Sequence, residues 1–376
     1  MVGLIISAAV AITIPVAVGL VWRRARQRRV AKALTITTPN GIVEERYVRL
    51  GGVDQWVLIR GEDRDNPVLV VLHGGPGWPN AVFTPVLRAW ERHFTVVQWD
   101  HRGVGKSRRR NGAPTPGEMT FDQRVDDAVE LVQFLRRHLH TDTVVLLAES
   151  MGTLTGTALV RRRPDLFSAY VVTDLYVDMV RNEADKYKLT LDRLRAAGKT
   201  KAIGALQRIG GDPTRWDLRA WNTNMAWAFR TNTPTANLDR RLLLPLALSS
   251  PLYSLRDLYH LIVGFSDATR QMFDQIIAYD ARRLGTRFDV PVLVVQGDSD
   301  VITLTTLAGE YVDDVDAPDK RMALIADAGH FAAFTHPDAF LAELLAFTHT
   351  VCADAAAQPH GAQLRSAQRD ATGSQH

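Results

Sequence analysis

The stretch Thr143-Val-Val-Leu-Leu-Ala-Glu-Ser-Met-Gly152 decides how this chain reads. Its first half is a short, continuous apolar run, as expected for a strand buried on both faces. Its second half, Ala148-Glu149-Ser150-Met151-Gly152, leads directly into a helical segment. A strand that turns this sharply into a helix strains the backbone at its central residue. The flanking positions must be small for the elbow to close, and Ala148 and Gly152 satisfy that requirement. Ser150 is therefore the candidate nucleophile.

A serine hydroxyl is a poor nucleophile until a base takes its proton, and the base must be oriented by a carboxylate. Working outward, the acid expected is Asp300, in Gly297-Asp298-Ser299-Asp300 just past the apolar run 290–298. The base expected is His330, in Ala328-Gly329-His330-Phe331 just past the run 321–327. All three residues fall at the carboxyl ends of expected strands, where parallel sheets place their sites, and they follow the chain order Ser, Asp, His. Asp298 is the rival acid; its other role would be a turn hydrogen bond. His138 and His140 at a helix end, and His336 and His349 in the last helix, suit solvated or core positions. No His-Glu-x-x-His or paired-cysteine spacing is present, so neither a metal nor another cofactor is expected.

The pattern around these residues alternates strand with helix. ERYVRLGG (45–52) and QWVLIRG (55–61) read as a hairpin turning at Gly51-Gly52. VLVVLHGG (68–75), FTVVQWD (94–100), TVVLLAES (143–150), AYVVTD (169–174), VPVLVVQGD (290–298) and RMALIAD (321–327) read as further strands. Helical periodicity is clearest over 121–139. The expectation is an α/β fold with a mostly parallel eight-stranded sheet and helices on both faces. Between 175 and 285 the alternation lapses into helix, which predicts an inserted helical cap. The core would then span 33–174 and 286–352, with a disordered tail over 353–376. Trp216, Trp221 and Trp227 cluster in the cap, suited either to packing or to an aromatic wall over a pocket.

The chain has 376 residues and a formal charge of +4, from 45 Lys and Arg against 41 Asp and Glu. Six of the basic residues lie between 23 and 32 with no acid among them, and without them 39 basic face 41 acidic, a net −2. Such a concentrated block argues against a nucleic-acid partner. The single cysteine, Cys352, allows no internal disulfide. Residues 2–22 carry no charge. As a helix they would span about 31 Å, matching a bilayer core of about 30 Å. The basic block follows this run instead of preceding it, so a transmembrane anchor is expected in place of a cleaved signal peptide. The positive-inside bias sets the amino terminus outside and the catalytic unit in the cytoplasm, a single-pass membrane protein whose lipid contact is 2–22.

His73-Gly74-Gly75-Pro76-Gly77, the stretch Asp100–Ser107, the elbow, Asp300 and His330 together resemble the α/β-hydrolase superfamily, specifically its proline iminopeptidase-like branch, over roughly 43–350. The resemblance implies an acyl-enzyme mechanism, with oxyanion donors at the backbone N–H groups of Gly75 and Met151. It implies an aminopeptidase that removes one N-terminal residue from short peptides. Such enzymes hold the free amine with acids from the cap; here Asp178, Glu183 and Asp185 are available, and Glu183 is the choice, with a solvated helix start as its alternative role. Gly74 and Trp221 complete the expected substrate-binding set. The elbow departs from the Gly-Gly-Ser-Trp-Gly common among these peptidases, since Glu149 and Met151 stand in it. Carboxylesterase or lipase activity on apolar esters is the alternative, and a non-catalytic binding protein on the same fold is a remote one. Epoxide hydrolases and dehalogenases use an Asp where Ser150 stands. Gly105-Lys106-Ser107 is no phosphate loop, because Asp100 occupies the position where that motif needs glycine.

Overall fold

The computed structural model describes residues 2–235 and 238–357, apart from the side chains of 2–14, 16, 239 and 352–357. One sheet carries β1 (Ile42–Leu50), β2 (Val53–Gly61), β3 (Val68–Leu72), β4 (Thr95–Asp100), β5 (Val144–Glu149), β6 (Phe167–Thr173), β7 (Val292–Gly297) and β8 (Lys320–Ile325). Their spatial order is β1-β2-β4-β3-β5-β6-β7-β8. Strand β2 runs antiparallel to β1 and β4, and every other pair is parallel. The β1–β2 hairpin turns at Gly51 and Gly52, whose φ angles of +50° and +80° favour glycine.

The apolar runs work because successive side chains point to opposite faces. Val70, Leu72, Leu146, Val172 and Val294 pack in one core; Leu69, Val71, Leu147, Val171 and Val295 pack in the other. Each such residue contributes about 1.5–3 kcal/mol when fully buried. Before the cap, the helices are α1 (Val2–Ala33), α2 (Gly105–Asn111), α3 (Phe121–Leu139) and α4 (Gly152–Arg162). Helix α3 closes the first core with Val125, Leu131, Val132 and Leu135.

Between β6 and β7 the chain leaves the core as α5 (Met179–Ala196), α6 (Thr200–Ile209), α7 (Leu218–Thr231), α8 (Leu244–Ser249) and α9 (Leu255–Ile277). The two ends of this excursion meet: Met179 N–H donates to Tyr279 O at 3.0 Å and Ala281 N–H to Val177 O at 2.7 Å. Side-chain caps start its helices. Asp178 accepts from Arg181 N, Asp217 from Ala220 N, and Ser254 with Asp257 forms a capping box. The chain then continues through α10 (Ala281–Leu284), α11 (Thr305–Asp314), α12 (Ala332–Thr335) and α13 (Pro337–Ala357). Helix α13 covers the second core with Phe340, Leu344 and Phe347. It runs to Ala357, past residue 353, where the tail is expected to begin, and residues 358–376 of that tail lie outside the described residues.

Helix α1 joins the apolar run and the basic block in one continuous element. Its basic end is docked on the cap. The Arg23 guanidinium donates to Tyr253 O and the Gln27 amide to Ser250 O, each at 2.7 Å. Among the described residues no helix is long and apolar enough to cross a membrane, so the expected transmembrane helix finds no support among them. Much of that expected span, 2–14 and 16, has side chains outside the described set.

Candidate active site

Strand β5 ends at Glu149 and α4 begins at Gly152, leaving Ser150 at φ +51°. A non-glycine residue holds that conformation at a cost, and the elbow is locked by its surroundings. Ser150 N–H donates to Thr173 O at 3.0 Å, and Ser150 O accepts from both the amide and the hydroxyl of Thr153. A Cβ on Gly152 would collide with Leu72 O. A Cβ on Gly156 would meet Ala148 Cβ at 2.7 Å, which is why small residues recur around the turn.

The loops after β7 and β8 bring Asp300 and His330, the expected acid and base, to this serine. His330 Nε2 lies 3.1 Å from Ser150 Oγ, and His330 Nδ1 lies 2.9 Å from Asp300 Oδ2. Asp300 also accepts from Ile302 N, Thr303 N, the Thr303 hydroxyl and the Gln296 amide. These donors fix the carboxylate before any charge develops on the imidazole. Asp298, the rival acid, is exposed and accepts the N–H of Asp327. A further carboxylate, Asp174 at the end of β6, places Oδ1 3.8 Å from His330 Nδ1. Sequence reasoning missed it, although it closes the expected strand 169–174 and directly follows β6. Asp174, Asp300 and His330 are also the one grouping among the described residues whose spacing could hold a metal ion.

The loop after β3 lies against Ser150. A Cβ on Gly74 would sit 2.8 Å from Ser150 Cβ and 2.9 Å from Glu149 O, so only glycine permits this approach. Gly75 adopts φ +52°. Among the described residues the N–H groups of Gly75 and Met151 have no intramolecular acceptor, leaving both able to donate to an oxyanion. Gly74→Ala is expected to push the loop off Ser150, lowering kcat by about 10²-fold or more through loss of a pre-aimed donor. Steady-state kinetics on an ester substrate checks this; an unchanged kcat would show that the loop gives way freely.

Above Ser150 the cap encloses a cavity of about 520 Å³. Its wall is mainly apolar, with Trp78, Trp221, Met225, Phe229, Phe265 and Phe331, and it also carries Arg230 and Arg240. Trp221 therefore faces the pocket, whereas Trp216 packs inside the cap against Tyr187 and donates to Gly210 O. Glu183 does not line the cavity. It is fully buried between α5 and α7, ion-paired with Lys186 and accepting from Asn224 Nδ2 at 3.1 Å. The cap acid expected at the pocket thus has its charge committed inside the cap, and Asp178 is a helix cap.

Buried ionisable groups are concentrated around Ser150. Burial, reinforced by Asp174, pushes the Glu149 carboxyl up to about 8, and a hydrogen bond from Asn80 offsets only part of that. Burial likewise raises Asp174, while His330 pulls it the other way. Burial disfavours the His330 imidazolium, but Asp174 and Asp300 outweigh it and hold the group above its ordinary value. His73 and His101, stacked at 3.7 Å, are kept neutral, with burial driving His73 down to about 3. The raised Glu149 carboxyl keeps a proton in the folded state that the unfolded chain releases near pH 4, so its contribution to stability falls as pH rises from about 4 to about 8. His330 acts in the same direction, since a raised histidine stabilises below its unfolded value and loses that contribution as pH rises through its folded one. Glu149→Gln is expected to flatten this decline in Tm. An unchanged slope would mean that Glu149 holds no proton there.

The alpha/beta hydrolase fold family model matches residues 67–337, well over half of the chain. The chain is 25% identical over 298 residues to the probable aminopeptidase YbaC of Bacillus subtilis, covering 77% of this chain and 92% of that one. Its fold resembles the crystal structure of a proline iminopeptidase-related protein from Thermus thermophilus, with a TM-score of 0.57 at 23% identity, over 83% of this chain and 98% of that one. It also resembles that of a proline iminopeptidase from Mycobacterium smegmatis, with a TM-score of 0.57 at 20% identity, over 84% and 100% of the two chains.

Proposed function

Because this chain belongs to the α/β-hydrolase family, we propose that it is a serine hydrolase of the proline iminopeptidase-like branch, working through an acyl-enzyme on Ser150. The observation that carries this reading is the continuous path Ser150 Oγ to His330 Nε2 at 3.1 Å and His330 Nδ1 to Asp300 at 2.9 Å. His330 takes the hydroxyl proton as Ser150 attacks a carbonyl, and Asp300 stabilises the imidazolium that forms. The amides of Gly75 and Met151 receive the oxyanion, each such donor contributing about 3–4 kcal/mol to the transition state. The imidazolium then protonates the leaving group, and water releases the acyl chain by the same steps in reverse.

For the substrate, the pocket favours an ester of an apolar acid. An ammonium needs a fixed, ionised anion, but Glu183 is paired with Lys186 and burial keeps Glu149 protonated through neutral pH. Arg230 and Arg240, on a mainly apolar wall, carry the same sign as an ammonium and disfavour it. The second reading, an aminopeptidase acting on short peptides, is favoured by the similarity to a probable aminopeptidase over most of both chains. Fluorophosphonate labelling combined with a panel of acyl esters and prolyl, alanyl and leucyl anilides separates them. Ester turnover without anilide turnover would dispose of the peptidase; anilide turnover with little ester turnover would dispose of the esterase. Absence of both labelling and turnover would sink the hydrolase reading itself.

We further propose that residues 2–22 anchor the chain in a bilayer with the catalytic unit in the cytoplasm. The uncharged run followed by six basic residues supports this. Release of the full-length protein from membranes by alkaline carbonate would argue against the anchor. A reporter fused after residue 376 that is active outside the cell would overturn the orientation.

A further inference from the structure

Asp174 carries two liabilities that converge on one contact. As the residue immediately after β6 it holds φ +54°, a left-handed conformation that aspartate enters more readily than most side chains but still at a cost relative to glycine. Its carboxyl is completely buried, yet Oδ1 has no hydrogen-bond partner. That orphaned oxygen lies 3.8 Å from His330 Nδ1, the nitrogen already hydrogen-bonded to Asp300. The other oxygen, Oδ2, accepts the N–H of Phe331 at 3.1 Å and so grips the residue that follows the base. Asp300, by contrast, shares its lone pairs among four protein donors besides the imidazole. The titratable groups around Asp174 are His330 and Asp300 on the loops after β8 and β7, Glu149 at the end of β5, and Tyr176 two residues downstream.

We propose that Asp174 is a second acid of this site, a positioning residue that clamps the His330 loop and stabilises the imidazolium beside Asp300. It takes over part of the orienting role when Asp300 is lost. The proposal rests on the Ser150–His330 chemistry described above. Its physical basis is the proximity of a buried carboxylate to the atom that becomes positive, in surroundings where water cannot screen the attraction. A proton on Nδ1 with a strong acceptor at 2.9 Å and a second oxygen 3.8 Å away needs only a small ring adjustment to change partner.

The test is a charge-removing cycle read by hydrolysis of 4-nitrophenyl butyrate across the pH range. Asp174→Asn keeps an oxygen for the Phe331 amide while removing the charge. It should lower kcat/KM by about tenfold and move the acidic limb of the profile to lower pH, because the imidazolium loses one stabilising anion. A residue serving only as a clamp would leave that limb in place. Asp300→Asn should cost about 10²–10³-fold, less than the ~10⁴-fold typical when a lone triad acid is replaced, and the double variant should fall to that larger loss or below. An unmoved limb in Asp174→Asn, or an Asp300→Asn variant already showing the full ~10⁴-fold loss, overturns the proposal. The second comparison does not require any Asp174 variant to fold. Wild-type protein that neither labels with fluorophosphonate nor hydrolyses the ester would instead mark failure of the hydrolase reading.

Discussion

Ser150→Ala is expected to lower ester kcat by about 10⁴–10⁶-fold, the range found when the nucleophile of such a unit is removed. The hydroxyl forms the new bond, and its neighbour Thr153 does not replace it, because that hydroxyl is committed to the Ser150 carbonyl while His330 Nε2 faces Ser150 Oγ. Folding should be unaffected, because alanine keeps the backbone conformation and only one hydrogen bond, to His330, is lost. Fluorophosphonate labelling should disappear while the melting curve stays close to wild type. Activity within tenfold of wild type would remove Ser150 from the mechanism.

Glu183→Gln should destabilise the protein by about 3–5 kcal/mol, the cost of leaving a buried charge without its partner. Both Glu183 and Lys186 are fully buried, and Asn224 from α7 completes the carboxylate's coordination. The loss would appear as a lower denaturation midpoint, with KM little changed, because Glu183 does not line the cavity. Replacing both partners by apolar residues of similar size should recover most of the stability, since no unpaired charge then remains. A Glu183→Gln protein of normal stability with a sharply raised KM for anilides would return Glu183 to the substrate and revive the amine-binding role.

These two residues illustrate what could and could not be read in advance. The elbow was legible because its constraint is local. A small residue on either side of a serine, between a buried strand and a helix, is a short-range steric statement, and the close approaches at Gly74, Gly152 and Gly156 show the same constraint in space. Asp300 and His330 were legible because their strands announced where the loops would emerge. Asp174 follows a strand in the same manner, but many carboxylates do, and its closeness to the imidazole arises from loops more than 150 residues apart in sequence. The i, i+3 spacing of Glu183 and Lys186 was visible in the sequence. Whether that pair faced water or the interior depended on α7, whose Asn224 lies 41 residues away.

The sequence by itself thus determined the fold class and marked the candidate nucleophile and the chain order of the candidate triad, because strand burial and tight turns leave their mark within windows of about five to ten residues. Only the tertiary structure decided which charges are available. It placed two arginines on the pocket wall, paired Glu183 with Lys186, docked Arg23 against the cap and set Asp174 beside His330. A charged side chain's role depends on which groups share its burial, and those groups come together only when distant segments of the chain pack.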